Sequence, residues 1–136
     1  MLASAVDSIR LWLHGLGVTV WVGGQLTLAA LVPVLRAAGP DVPKRAARAF
    51  NRVAWPAFGV LIITGLWNIQ AVHGQIKHSS DYRNTLIAKL VIVALSGLAA
   101  YLHAKADSKK GRAIWGALTA LFALLALFYG IVLGNS

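Results

Sequence analysis

The sequence contains no cysteine, which excludes disulfides, iron–sulfur ligation and thiolate metal sites. Methionine occurs once, at position 1, so soft thioether ligands are missing as well. Acidic residues are scarce, 4 against 13 lysines and arginines, giving a formal charge of +9. Of the 136 residues 58% are apolar, and the mean hydropathy is +0.69. A soluble core of this size would have too little polar surface to cover it, so the composition predicts a membrane protein.

Four stretches are almost free of charge: 11–35, 53–76, 84–104 and 113–136. Each exceeds the ~20 residues needed to cross a bilayer as a helix. They predict spans over about 9–35, 53–74, 84–104 and 113–134 in a single transmembrane domain. The first and second spans are joined by a segment rich in Arg36, Lys44, Arg45, Arg48 and Arg52, and the third and fourth by one holding Lys105, Lys109, Lys110 and Arg112. The opposite side carries only Arg10, Lys77 and Arg83. The positive-inside rule then predicts both termini outside, both basic connections in the cytoplasm, and a multi-pass protein of a bacterial cytoplasmic membrane. This distribution assigns the basic charge to lipid headgroups and not to nucleic acid.

The opening "MLASAVDSIR" has an acid and no basic n-region, and the apolar run after it is too long for a signal-peptide core, so it is expected to be retained. The first helix is expected to end near Pro33 to Arg36. Asp41 is a candidate N-cap for the basic helical turns that lead into the second span, and Pro56 a candidate kink. "HGQIKHSSDYRN" reads as the outer connection and "KADSKKGR" as a tight inner one. Short connections predict an all-α, antiparallel up-down four-helix bundle. The last span reads as packing material.

Ionisable groups inside spans are costly and are functional candidates by default. They are His14, Lys89 and His103, with His73 at the outer rim of the second helix. At ~1.5 Å per residue, His14 and Lys89 both lie a little over one turn inside the outer ends of the first and third helices, level in the outer leaflet. His14 shares a stripe with Val18, Trp21 and Gln25, beside Gly17 and Gly24; Lys89, Ser96 and His103 recur at intervals of seven. Two polar faces are expected to point into the bundle.

Each residue also has a structural reading. His14 can hydrogen-bond a neighbouring helix, Lys89 can snorkel to the interface, His103 near Lys105 suits an interfacial role, and His73 and His78 suit a solvated loop. Trp12, Trp55 and Trp115 fit interfacial belts, whereas Trp21 and Trp67 lie deeper, as core or as stacking residues for a flat cofactor. Gln25, Thr64 and Asn68 fit hydrogen bonds between helices.

His14, "WVGGQL", "RAFNRVA", "LIITGLWN" and "DYRNTLIAKL" together resemble the copper-resistance D (CopD) family of membrane domains. The His in the first helix with a Lys early in the third is also similar to the HemJ type of four-helix haem-associated membrane protein. The resemblance covers residues 11–100 and departs at Arg83, where many CopD sequences have glycine after the tyrosine. It implies either copper handling or haem b chemistry, with His14 and Lys89 at or near the haem in the second case.

Ligand chemistry separates these two. Copper(I) passage favours thiolate and thioether ligands along a path, and the sequence offers neither beyond Met1; imidazoles of His14, His73, His78 and His103 would have to serve. Haem b needs one or two imidazoles, an apolar slot and cations for its propionates. His14 as axial ligand, His73 as a second, Trp21 beside the ring, and Arg10, Lys77, Arg83 or Lys89 near the propionates meet that list on one side of the membrane. Lys89 is in addition the candidate catalytic donor. The expectation is a haem b protein with redox or O2/NO-type chemistry, copper being the alternative; glycine-rich faces allow a homodimer in the lipid bilayer.

Overall fold

The computed structural model describes residues 4–134, the side chain of Gln75 excepted. The chain ends expected on the outer side, Met1 and Ser136, lie outside the described residues. All regular structure among the described residues is helical: α1 (Ala5–Val18), a π turn (Thr19–Gly23), α2 (Gly24–Ala38), α3 (Val42–Ala71), α4 (His73–His78), α5 (Ser80–Lys105) and α6 (Lys109–Gly134). Among the described residues four helices are long and apolar enough to cross a membrane: the continuous run Ala5–Ala38, then Val42–Ala71, Ser80–Lys105 and Lys109–Gly134. Even the shorter two reach about 39 Å against a hydrocarbon core of about 30 Å.

Local chemistry sets the helix ends. The Ser4 hydroxyl accepts from the Asp7 N–H at 3.1 Å and donates to the Asp7 carboxylate at 2.8 Å, capping α1. Ser79 accepts from the Tyr82 N–H ahead of α5, and Ser108 from the Gly111 N–H ahead of α6. The Asp41 carbonyl accepts from the Arg45 N–H, so α3 starts directly after Asp41, and the basic segment with exposed Arg45, Arg48 and Arg52 is one helix with the second span.

The ends of the first two spans differ from the sequence expectation. The first helix runs through Pro33 to Ala38, because a missing N–H removes one ladder bond without stopping the remaining turn. The second ends at Ala71, and a break at Val72 separates it from His73, which opens α4 instead of ending the span. The outer connection is therefore largely helical; its Gly and Ser residues punctuate two helices where they suggest a loop.

The chain forms two compact units, Met1–Ala71 and Val72–Ser136. In both, small or polar side chains are buried: Ala54 and Thr64 in the first, Ser96, Ala99, Thr119, Ala123 and Ala126 in the second. Many large apolar ones are exposed, among them Ile63, Leu66, Leu98, Leu121, Phe128 and Ile131, whereas Trp21 is buried. Water would penalise such a surface, whereas lipid tails are as apolar as leucine and helix contacts in them select small residues.

Candidate functional site

Arg10, His14, Gly17 and Trp21 recur every three or four residues, so one face of α1 and the π turn carries all four. Their partners on α3 descend in number as theirs ascend, which makes the pair antiparallel. At the α1 N-terminal end the buried Arg10 guanidinium donates through Nη1 to the Asn68 Oδ1 and through Nη2 to the Asp7 carboxylate at 3.1 Å. Its Nε is buried with no acceptor among the described residues. One turn further in, the half-buried His14 meets Thr64, Nδ1 to Oγ1, at 2.7 Å.

The next turn is held by backbone proximity. A Cβ at Gly17 would stand 2.8 Å from Leu61 Cγ and 3.1 Å from the Ala57 carbonyl oxygen, so glycine permits this approach. Trp21 is then enclosed by aromatic neighbours, with ring centroids 4.5 Å from Phe58 and 5.5 Å from Trp55. A Cβ at Gly24 would overlap the Phe50 ring, and the neighbouring Gln25 buries an amide nitrogen that has no acceptor among the described residues. Beside this face lies an apolar groove of about 150 Å³, lined by Leu13, Leu16, Gly17, Val20, Ala57 and Val60. Pockets for drug-sized ligands run to roughly 300–1,000 Å³, so the groove alone does not hold a macrocycle.

In the second unit α5 and α6 pair through Lys89, Ser96 and His103. Ser96 donates to the Thr119 carbonyl at 3.1 Å. His103 Nδ1 lies 2.7 Å from the Arg112 carbonyl, which can only accept, so that nitrogen carries hydrogen. Lys89 lies along Gly130, where a Cβ would be 3.3 Å from Nζ, and the one ion pair among the described residues is Arg10 with Asp7. The heptad stripe read on α5 thus finds its partner on α6. There Gly116, Thr119, Ala123, Ala126 and Gly130 recur at three-four spacing, a small-residue seam visible in the sequence but hidden when the span is weighed by hydropathy alone.

Among the expected site residues, Arg10, His14 and Trp21 come together on the α1–α3 pair, where Asn68 and Thr64 serve as the expected hydrogen-bond partners. Arg10 has its Nη groups engaged by protein acceptors. Lys89 belongs to the α5–α6 pair; Arg83, in the first turn of α5, and His73, opening α4, are exposed. No group of three or more His, Cys, Asp or Glu gathers among the described residues. Compared with protein-family profiles, curated proteins and solved structures, the chain matches none.

Proposed function

We propose that this chain is a multi-pass protein of a bacterial cytoplasmic membrane that binds haem b near the outer leaflet, with His14 as axial ligand. Its four spans would form an antiparallel bundle with both termini outside. The observation that carries the reading is the rung between His14 and Thr64. A hydrogen bond between one ring nitrogen and a neighbouring hydroxyl is the usual support of an imidazole that holds a metal.

The donor set fits haem better than a bare copper ion. A porphyrin brings four nitrogens, so one imidazole suffices, whereas copper held by protein atoms alone needs several donors gathered together, and no such group forms among the described residues. Haem b, when bound, supplies one-electron or diatomic-gas chemistry. The chain's part is to orient the His14 ring through Thr64 and to keep water from it with apolar helices. Lys89, within its span, would serve as proton donor or propionate partner, exposed Arg83 as a further propionate partner, and exposed His73 as a second imidazole ligand. The glycines Gly15, Gly23, Gly59 and Gly65, where a Cβ would meet open space, leave room for a second copy of the chain.

An optical spectrum of the detergent-purified protein supplemented with haem tests this reading. A Soret band that His14→Ala abolishes or shifts supports it. No band, or a spectrum unchanged in His14→Ala, overturns it.

A further inference from the structure

We infer that α3 carries a binding site for one anionic phospholipid: the headgroup phosphate lies on Arg45, Arg48 and Arg52, and an acyl chain runs from there into the apolar groove between α1 and α3. Neither His14 nor haem takes part.

The headgroup end follows from length and charge. The 30 residues of α3 extend about 45 Å, about 15 Å more than a hydrocarbon core. The apolar stretch of this helix starts at Val53, so the surplus is the basic turns before it, which stand at the depth of lipid phosphates. Arg45, Arg48 and Arg52 are exposed there and, three and four residues apart, share a sector about 60° wide. Of the chain's 4 acidic residues only Asp41 belongs to this segment, and the one ion pair among the described residues is Arg10 with Asp7. Three guanidiniums therefore stand together without a carboxylate on any of them, and their planar forks match phosphate oxygens.

The tail end follows from shape. Ala49, Val53, Pro56 and Val60 continue the Arg45 face along the helix, the first three of them exposed. This apolar track leads to the groove of about 150 Å³, which Gly17 and Ala57 open by their lack of bulk and which Leu13, Leu16, Val20 and Val60 wall. Arg52 lies roughly 8–12 Å along the axis from Ala57 and Val60, close enough for one lipid to reach both. A narrow groove lined by apolar side chains alone suits a slender hydrocarbon chain.

A general attraction of basic residues to a negative surface predicts neither part. Such attraction follows the number of charges near the surface, whereas a site depends on these three arginines and on the slot beyond them.

Spin-labelled phosphatidylglycerol and phosphatidylcholine, each added to phosphatidylcholine vesicles holding the full-length protein, report association through the immobilised fraction of the label. Wild type is expected to prefer phosphatidylglycerol by about 10-fold or more. Arg48→Gln with Arg52→Gln is expected to remove most of that preference. Lys109→Gln with Lys110→Gln, which takes equal charge from the other basic connection, is expected to keep it. Val60→Phe and Val20→Phe fill the slot from either wall, and each is expected to weaken phosphatidylglycerol association about 3-fold or more with the arginines intact. Inorganic phosphate at matched ionic strength, having no chain, is expected to displace nothing. Absence of a preference in wild type, equal losses in the arginine and lysine pairs, full association in both slot variants, or displacement by phosphate overturns the inference.

Discussion

The ring of His103 and the backbone of Gly116 are in close contact: a methyl group at Gly116 would stand 3.1 Å from Cε1 and 3.2 Å from Nδ1 of the imidazole. Gly116→Val is therefore expected to push the ring away and break its 2.7 Å bond to the Arg112 carbonyl. The cost is about 1–3 kcal/mol, from overpacking together with a lost hydrogen bond. Reversible unfolding in mixed micelles measures it, and stability equal to wild type would mean that the ring yields freely.

Glycines on α1 should divide by what they face. Gly17→Ala meets the Leu61 side chain and the Ala57 carbonyl, a backbone atom that cannot rotate aside, and is expected to destabilise by about 1–3 kcal/mol. Gly15→Ala meets nothing within 4 Å, and is expected to be neutral or to stabilise by up to about 1 kcal/mol through helix propensity. Parallel unfolding curves decide this, and equal effects would contradict the close α1–α3 approach.

Removing Asn68 should be worse than removing both members of its rung. Asn68→Leu leaves the buried Arg10 guanidinium without its side-chain amide acceptor, at a cost of about 1–3 kcal/mol. Arg10→Met with Asn68→Leu takes both polar groups away and should recover part of that loss. A double-mutant cycle with no coupling would show that the rung contributes nothing.

The cysteine-free sequence allows a direct test of sidedness. The proposed topology puts His78 outside and Asp107 in the cytoplasm. A membrane-impermeant maleimide is expected to label His78→Cys in intact cells, and Asp107→Cys only after the membrane is opened. The opposite pattern would invert the topology.

The spans were legible because hydrocarbon thickness sets a length that apolar runs report directly. Polar faces were legible as spacing: His14, Trp21 and Gln25 on one stripe, Lys89, Ser96 and His103 on another; that Arg10 extends the first stripe was not. What spacing leaves open is the partner. Nothing in a single helix states that His14 meets Thr64 rather than Asn68, since these two lie one turn apart on α3 and only the register of the pair chooses. The face opposite Lys89 was harder to read, because glycine and alanine at contact positions carry little hydropathy signal although they decide which helices approach. Helix α4 was hidden for a different reason: polar residues between two spans look like loop, yet Ile76 bonds back to Val72 as in any helical turn.

The wide turn at Thr19–Gly23 holds one residue more than an α-helix of the same length would need. A surplus residue is one that can be given up. Deleting Val22 should let that stretch tighten into ordinary helix, whereas a deletion at Leu13 would swing every later side chain of the span by about 100°. The first span thus has a built-in place where its length can change by one while the neighbouring turns keep their own regular geometry.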